Sequence, residues 1–331
     1  MARIFLTHVP EMLRNYFGER ALAELRKLGE VRLNPADRVL DAASLTDAAR
    51  GCEIVVSDRQ TPGLPEFFRN SPDLVAFLRV AVDIRNIDVE SAGGAGILVT
   101  RATPGFAASV AEMAVGMMID LGRGVSRSVL DYRSGRQPVA TMGRQLGGAV
   151  LGIIGYGAIG RYLAPLGVAL GMKVLVADPF QKAADQMLRQ VSLDELLAES
   201  DFVVCLAVAN EQTENLMNEA AFARMKKSAY FINLSRGNLV DETALEHALD
   251  ERKIAGAALD VGRASDQMPS PQLARRIDVI ATPHIAGLTP DAVEHQAFET
   301  VRQVAEIVAG RVPEGAVNAG SAVRLARLVA P

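Results

Sequence analysis

The sequence predicts an α/β protein with two parallel β-sheets, and three observations support that prediction. Strand-like apolar runs alternate with helical runs over the first hundred residues, and a second alternation of the same kind starts at Ala149. The chain of 331 residues is also longer than one hydrophobic core usually supports. We therefore expect two α/β domains.

The first domain extends from Met1 to about Thr100. Helical patterns cover residues 11–28 and 44–50. The strand-like segments between and after them are RIFLTH, EVRLN, EIVVSD, LVAFLRVA and ILVT. Because strands and helices alternate, we expect a largely parallel sheet.

A long apolar helix is predicted after the first domain. The alternation breaks at Thr103-Pro104-Gly105, and residues 108–122 (ASVAEMAVGMMIDLG) are then apolar nearly all round. Such a helix must be buried, either in a core or against another subunit.

The second domain begins at Ala149 and contains about six strands. Helices are predicted over residues 192–200, 219–227 and 242–253. The strand-like segments are AVLGIIG, KVLVAD, FVVCLAV, AYFINLS, GAALDV and DVIATP. This order is typical of a doubly wound parallel sheet.

The end of the chain is expected to return to the first domain. A last helix over 291–310 and an irregular tail over 312–331 follow the completed second sheet. The predicted domains are therefore residues 1–101 together with 288–331, and residues 102–287. We expect a small ligand to bind in the cleft between them.

Composition and charge exclude several classes of partner. The chain is 49% apolar and 22% charged, with a net charge of −4, so a nucleic acid or an anionic membrane offers little electrostatic gain. Cys52 and Cys205 lie in apolar runs and are expected to be buried thiols. The start of the chain has no signal-peptide pattern, and no 18 apolar residues run together. We expect a cytoplasmic protein.

A glycine-rich turn follows the first strand of the second domain. A glycine-rich loop alone could be ordinary turn chemistry, but here a strand precedes it and a helix follows. The first glycine permits a tight turn, the second lets the backbone approach a pyrophosphate, and the third packs the helix against the strand. The motif therefore predicts a Rossmann dinucleotide-binding domain. Its residues are Gly155, Tyr156, Gly157, Ala158, Ile159 and Gly160.

The acidic residue Asp178 selects between the two nicotinamide dinucleotides. It ends the next strand, 23 residues after Gly155, where a carboxylate can accept both ribose hydroxyls and repel a 2′-phosphate. Arg161 and Lys182 are the nearest cations, and each is interpreted as a solvated surface charge. The cofactor is predicted to be NAD.

Three polar residues stand where strands of the second domain end: Arg236, Asp260 and His284. Strand carboxyl ends face the ligand crevice of an open parallel sheet, so these side chains can converge beside a nicotinamide. Histidine titrates near neutrality and can move the proton of a secondary alcohol. A planar guanidinium can bind a carboxylate with two hydrogen bonds. His284 and Arg236 are the candidates for these roles.

Each of these side chains also has a structural interpretation. Arg236 could cap a surface turn before Gly237. Among the other histidines, His8 could end an edge strand, and His247 and His295 lie in polar helical stretches and are expected to face solvent.

Together these residues resemble the D-isomer-specific 2-hydroxyacid dehydrogenases. The resemblance spans most of the chain. It rests on Asn86-Ile87-Asp88, Ser109-Val110-Ala111-Glu112, the glycine turn, Asn233-Leu234-Ser235-Arg236-Gly237, Leu239-Val240-Asp241-Glu242, Ala258-Leu259-Asp260-Val261 and Thr282-Pro283-His284-Ile285-Ala286-Gly287.

The resemblance implies a flavodoxin-like substrate domain beside the Rossmann domain, and a role for each motif. Arg236 would bind and polarise the substrate, His284 would act as acid and base, and Asp260 would hold the nicotinamide amide. The apolar helix from Ala108 would form much of a homodimer interface. Further cofactor contacts are implied at Val208, Thr213, Leu234, Ser235 and Gly287.

The histidine's usual acidic partner is missing from this sequence. Family members place a Glu-Pro pair a few residues beyond Asp-Val, and the glutamate raises the pKa of the imidazole. Residues 262–269 read GRASDQMP instead. Asp266 could take the place of that glutamate, whereas Gln267 would leave the histidine without a charged partner, and Asp266 alone could equally form an ordinary Asx turn.

The family's glycine-rich substrate loop also differs here. It corresponds to residues 79–85 (RVAVDIR), in which no glycine remains. Backbone amides of Ala81, Val82 and Asp83 are the candidates for holding the substrate carboxylate. Asp83 would repel an anionic substrate unless Arg85 or Arg79 neutralises it.

The function that these residues predict is hydride transfer between NAD and C2 of a small D-2-hydroxy or 2-keto acid. The alternative is an NAD-sensing, corepressor-like binding protein on the same fold, because fold alone does not decide function. Members of the family often have a His-x-Pro segment beside the cofactor, and Leu206 and Val208 replace it here. A third interpretation is an enzyme on this fold that oxidises formate or phosphite. No metal is implied.

Overall fold

The computed structural model describes residues 1–328, apart from the side chain of Asp266. The chain divides into two compact units. One comprises Met1–Phe106 and Leu288–Pro331, and the other comprises Ala107–Gly287. None of the helices within residues 1–328 is long and apolar enough to cross a membrane.

The first unit contains a five-stranded, fully parallel sheet of order β2-β1-β3-β4-β5. Its strands are β1 (Ala2–Leu6), β2 (Gly29–Leu33), β3 (Ile54–Ser57), β4 (Ala76–Arg79) and β5 (Leu98–Arg101). This is the flavodoxin-like order, in which the chain reverses direction across the sheet between β1 and β3. The predicted fold class of this unit is confirmed.

Six helices flank this sheet among the described residues. They are α1 (Pro10–Tyr16), α2 (Glu19–Leu28), α3 (Ala42–Ala48), α4 (Pro65–Arg69), α5 (Val89–Gly94) and α13 (Pro290–Val308). The single helix predicted over 11–28 is in fact two, because Gly18 adopts a φ of 82°, which an L-residue rarely adopts. Helix α13 contributes Ala297, Val304 and Ile307 to the core of this unit.

The second unit contains a seven-stranded, fully parallel sheet of order β12-β11-β10-β9-β6-β7-β8 within the described residues. Its strands are β6 (Val150–Ile154), β7 (Lys173–Ala177), β8 (Leu188–Gln190), β9 (Phe202–Cys205), β10 (Tyr230–Asn233), β11 (Gly256–Leu259) and β12 (Val279–Ala281). Six of these were predicted. The sequence pattern missed the edge strand β8, whose three residues are largely exposed and carry no apolar alternation.

The helices of the second unit include the apolar one predicted after the first domain. They are α6 (Ala107–Arg123), α7 (Val125–Arg133), α8 (Ala158–Ala169), α9 (Leu193–Glu199), α10 (Glu219–Arg224), α11 (Glu242–Asp250) and α12 (Pro271–Ala274). Helix α6 buries Val110, Ala114 and Met118, but Ile119 remains 43% exposed. Helix α6 is therefore only partly buried within its own unit, and its burial against another subunit stays a prediction.

Burial settles the sequence interpretations of four side chains. Cys52 and Cys205 are both buried free thiols, as predicted. His247 is exposed, also as predicted. His8 does not end an edge strand: it follows β1, which lies between β2 and β3, and only 3% of it is exposed.

The buried His8 makes fold stability depend on pH. Burial lowers the pKa of His8 to about 4, while the unfolded chain protonates this histidine near 6.5. The unfolded state therefore binds the extra proton between those values, and the free energy of unfolding should fall by about 3 kcal/mol from pH 6.5 to pH 4. Urea unfolding of wild type and of His8→Leu between pH 6.5 and pH 4 measures this fall in the free energy of unfolding. If the free energy of His8→Leu depends on pH as steeply as that of wild type, His8 is not the group responsible.

Candidate active site

The glycine turn after β6 has the geometry that its sequence predicts. Gly155 adopts a φ of 95°, and a Cβ there would lie 2.7 Å from the backbone nitrogen of Ala207. A Cβ at Gly160 would collide with the carbonyl oxygen of Gly155. Glycine at these two positions is therefore required by the fold of the turn and by the close packing of α8 against it.

Gly157 differs from the other two glycines of the turn. A Cβ placed on Gly157 would meet no described atom within 4 Å, and the residue is exposed at the start of α8. The space outside this residue is therefore open for a group that approaches the backbone, and the amino end of the helix favours a negative charge there. These residues fit the pyrophosphate of a dinucleotide.

This difference between the glycines gives a testable prediction. Gly157→Ala should leave Tm almost unchanged and weaken NAD binding about tenfold or more, because the added methyl group occupies the space that the pyrophosphate needs. Gly160→Ala is the matched variant and should lower Tm. Thermal unfolding and calorimetric titration with NADH measure both quantities; unchanged NADH affinity in Gly157→Ala would show that the turn does not hold the cofactor.

Asp178 lies directly after β7 and faces the glycine turn. Its Oδ2 accepts a hydrogen bond from the Tyr156 amide at 2.7 Å, and its Oδ1 accepts from the amides of Phe180 and Gln181. Burial alone would raise the pKa of Asp178, but these amide donors outweigh it and hold the pKa below its usual range. The carboxylate is therefore charged at neutral pH beside the turn, as a partner for ribose hydroxyls should be.

The two cations near this turn, Arg161 and Lys182, are both on the surface. Arg161 donates to the carbonyl oxygen of Tyr156 at 3.3 Å and to Oε1 of Gln181 at 2.5 Å. Arg161 is nevertheless exposed, so its interpretation as a surface charge is confirmed. Lys182 is exposed, as predicted.

The segments after β9 and β10 meet beside the glycine turn. Ser235 donates its hydroxyl to the carbonyl oxygen of Ala207 at 2.7 Å, and Thr213 donates to that of Val208 at 2.8 Å. Val208 is 77% exposed, whereas Leu234 is buried. Because β6, β9 and β10 are neighbours in the sheet, these predicted cofactor contacts share the edge at which Gly155 lies.

Arg236 follows β10 and is half-buried. The Asn233 side-chain amide donates to the carbonyl oxygen of Arg236 at 2.9 Å, and the Arg236 guanidinium donates to that of Ser235 at 2.8 Å. The residue precedes the 3-10 turn Gly237–Leu239 but makes no side-chain cap to it. The alternative interpretation of Arg236 as a turn cap is therefore not supported.

Arg236, Asp260 and His284 follow three neighbouring strands in register. Asn233 of β10 pairs with Leu259 of β11, which pairs with Ala281 of β12. The structure thus brings the three predicted residues to one edge of one sheet, where adjacent strands lie about 5 Å apart.

The buried Asp260 holds the segment that carries His284. Its Oδ1 accepts from the Thr282 hydroxyl at 2.6 Å and from the Ile285 amide at 2.8 Å, and its Oδ2 accepts from the Ala286 amide at 2.8 Å. Its backbone oxygen accepts from the His284 amide at 2.9 Å. Residues on both sides of His284 are therefore bonded to one side chain that is 1% exposed.

His284 itself adopts a left-handed backbone conformation, with a φ of 55°. Such a conformation costs a non-glycine residue about 1–3 kcal/mol and persists only where surrounding contacts impose it, often at functional sites. The Asp260 bonds are contacts of that kind. Thr282 was not among the predicted site residues, although it lies two residues before the histidine.

The partner of His284 stays a prediction. The side chain of Asp266 lies outside the described residues. Gln267 adopts a φ of 58°, and its Oε1 is buried without a hydrogen-bond partner among the described residues.

The loop predicted to bind the substrate, residues 79–85, carries Ala81, Val82 and Asp83, and all three are half-buried. Asp83 is paired with Arg85, whose Nη2 lies 2.7 Å from Oδ2 of the carboxylate. Asp83 was expected to repel an anionic substrate unless Arg85 or Arg79 neutralised it, and Arg85 forms this ion pair. Arg79 ends β4 and is fully buried. This burial was not predicted.

Comparison with known proteins shows which proteins this chain resembles. The sequence model of the protein family described as D-isomer specific 2-hydroxyacid dehydrogenase, NAD binding domain, matches residues 115–286 of this chain. The chain is 35% identical over 298 residues to the (S)-sulfolactate dehydrogenase of Chromohalobacter salexigens, covering 88% of this chain and 96% of that one. It is 32% identical over 258 residues to the hydroxypyruvate reductase of Thermotoga maritima, covering 76% and 83%.

The fold also matches solved structures. The apo structure of D-lactate dehydrogenase from Escherichia coli superposes with a TM-score of 0.80 at 24% identity, covering 96% of this chain and 100% of that one. At this identity the match supports the fold alone.

Proposed function

This chain belongs to the family of D-isomer specific 2-hydroxyacid dehydrogenases, and we propose that it interconverts a small D-2-hydroxy acid and the corresponding 2-keto acid. Its relatives are dehydrogenases and reductases, and the chain is an NAD-dependent enzyme of the same kind. The observation that best supports the proposed chemistry is the left-handed His284, held by Asp260 beside the strand end that carries Arg236.

In this proposal the chain's own side chains manage the substrate's charge and proton. Arg236 binds the carboxylate and polarises the C2 oxygen. His284 accepts the proton of the C2 hydroxyl during oxidation and returns it to the C2 oxygen during reduction. Asp266 is proposed as the charged partner of His284. When bound, NAD accepts the hydride from C2 or returns it.

The residues proposed to hold NAD lie around the glycine turn. The amides of the turn bind the pyrophosphate, and Asp178 accepts the ribose hydroxyls. The remaining contacts are assigned to Val208, Thr213, Leu234, Ser235, Arg236, Asp260, His284 and Gly287.

The first unit is proposed as the substrate domain and the second as the NAD-binding domain. Backbone amides of Ala81, Val82 and Asp83 are assigned to the substrate carboxylate. Their place after β4 supports this assignment, because ligands of open α/β sheets bind outside the carboxyl ends of the strands.

We also propose a homodimer in which the exposed side of α6 and α7 faces a second copy. Ile119, Val125, Val129 and Leu130 on these consecutive helices are 42–54% exposed, and exposed apolar side chains of this kind are candidates for an interface. The free buried cysteines Cys52 and Cys205 are consistent with the reducing cytoplasm proposed as its location.

A panel of 2-keto acids with NADH and NADPH tests the function. We expect oxidation of NADH by at least one small acid, such as glyoxylate or hydroxypyruvate, and a preference over NADPH because of the charged Asp178. Inactivity across the panel, with NADH still bound, would instead favour the NAD-sensing alternative.

A further inference from the structure

We propose that Arg263 is a positioning residue, which fixes the turn after Arg236 so that the Arg236 guanidinium meets the carboxylate of the substrate. The inference rests on the proposed function. Arg263 follows β11, three residues after Asp260, in the segment from which the family's Glu-Pro pair is missing. It acts through Arg236 and is not assigned a contact with the substrate.

The 3-10 turn that follows Arg236 depends on bonds from outside it. Within the turn, the Leu239 amide donates to the carbonyl oxygen of Arg236 at 3.4 Å, which is long for a hydrogen bond of this type. From the segment after β9, the Asn215 amide donates to the carbonyl oxygen of Asn238 at 2.9 Å. The Met217 amide donates to that of Leu239, also at 2.9 Å.

Arg263 holds the same turn from the segment after β11. Its Nε donates to the carbonyl oxygen of Val240 at 3.1 Å, and its Nη2 donates to that of Asn238 at 3.1 Å. The donors of a guanidinium have a fixed planar arrangement, so two such bonds fix the orientation of the turn as well as its distance. The two segments also pack closely, since a Cβ on Gly237 would collide with the backbone of Gly262.

The segment after β9 anchors the Arg263 guanidinium. Nη2 of Arg263 also donates to Oε1 of Glu214 at 2.8 Å and to Oδ1 of Asn215 at 2.6 Å. The Asn238 side-chain amide donates to Oε2 of Glu214 at 2.9 Å, so this carboxylate is bonded both to Arg263 and to the turn. These donors hold the pKa of Glu214 below its usual range. One guanidinium therefore joins the segments that follow β9, β10 and β11.

Charge alone would not give Arg263 this role. The side chain of Arg263 is 38% exposed and that of Glu214 is 42% exposed, and an exposed ion pair contributes little to stability. Glu214 also offsets the positive charge that would otherwise attract an anionic substrate. The bonds from Arg263 to two backbone oxygens of the segment after Arg236 are what an ordinary surface charge lacks.

Arg263→Ala should weaken binding of oxamate, an unreactive 2-keto acid analogue, to the NADH-bound protein about five- to twentyfold. A misplacement of about 1 Å can cost about 10²-fold, and the backbone bonds from residues 215 and 217 limit the displacement here. The value of kcat/KM for the best keto acid should fall at least as much. Kd for NADH should change less than about threefold, because the glycine turn and Asp178 hold most of the cofactor. Calorimetry and steady-state rates measure these quantities.

Two further variants separate geometry from charge. Arg263→Lys keeps the charge opposite Glu214 but lacks the planar fork that reaches both backbone oxygens, so oxamate affinity should stay at least about threefold below that of wild type. Glu214→Ala removes a negative charge, yet it should weaken oxamate binding about two- to fivefold. The reason is that Arg263 and the turn lose the carboxylate to which both are bonded.

Arg276→Ala is the matched control for a loss of stability. Arg276 precedes β12 at the amino edge of the same sheet, and its guanidinium donates to Asp250 at 2.7 Å and to Asp278 at 2.9 Å. Its side chain is only 24% exposed. Arg276→Ala should lower Tm at least as much as Arg263→Ala does, and leave oxamate affinity within about twofold of wild type.

Three results would overturn the proposal: wild-type oxamate affinity in Arg263→Ala, full recovery of affinity in Arg263→Lys, or tighter binding in Glu214→Ala. An equal loss of affinity in Arg276→Ala would overturn it as well, and so would failure of oxamate to bind the wild type. Failure of the proposed function is a separate result, namely Arg263-dependent oxamate binding without turnover of any keto acid.

Discussion

His284→Asn is expected to lower kcat about 10²–10⁴-fold and to raise KM for the cofactor, which His284 is also proposed to contact, by a much smaller factor. General acid–base catalysis by a positioned side chain contributes about this much, and asparagine cannot exchange a proton near neutral pH. Asparagine is the informative replacement because it tolerates the left-handed backbone that His284 adopts. The loss can therefore be attributed to chemistry and not to a changed backbone.

His247→Asn provides the control for this prediction. His247 is exposed on α11, so its replacement should leave kcat within about twofold of wild type, since exposed substitutions away from special features have small effects. Steady-state rates and Tm are compared for the three proteins. Undiminished turnover in His284→Asn would remove His284 from the proton transfer.

Asp260→Asn is expected to lower kcat about 10–100-fold and to reduce Tm. The carboxylate accepts three hydrogen bonds from residues around His284, and an amide nitrogen in place of one oxygen would face a donor. An unmade buried hydrogen bond costs about 1–3 kcal/mol, and part of that cost would be relieved by displacement of the histidine.

The kinetic constants distinguish the two roles assigned to Asp260. If it acts by positioning His284, kcat falls and KM for NAD stays within about threefold. If it mainly binds the nicotinamide amide, as the family resemblance implies, KM for NAD rises and kcat changes less. Thr282→Val, which removes one donor, should lower kcat several-fold, and Thr282→Ser, which keeps the hydroxyl, should not.

The glycine turn could be predicted in detail because its determinants are local. Gly155, Gly157 and Gly160 lie within six residues; close contacts in the turn require the first and third, and the space beside the second is open. The parallel sheets were predictable for a similar reason, since each buried strand is a short apolar run. The exposed strand Leu188–Gln190 has no such run and was missed.

The hydrogen bonds from Asp260 that hold the segment around His284 could not be predicted in the same way. Asp260 and Thr282 are 22 residues apart, and only the pairing of β11 with β12 brings them together. Arg79 was likewise unremarkable within an apolar run, because its partners follow a different strand. The ion pair between Asp83 and Arg85 joins residues only two positions apart. The sequence could therefore name Arg85 as one of two arginines expected to neutralise Asp83.

The division of the chain has a consequence for its synthesis. The first unit needs Val304 and Ile307 of α13 to complete its core, yet the whole of Ala107–Gly287 is translated before that helix. At about 5–20 residues per second, the ribosome leaves the first sheet without its last helix for roughly 10–40 s. The inserted unit is contiguous and can fold during this interval, while the nascent first sheet exposes an apolar face on which chaperones can act.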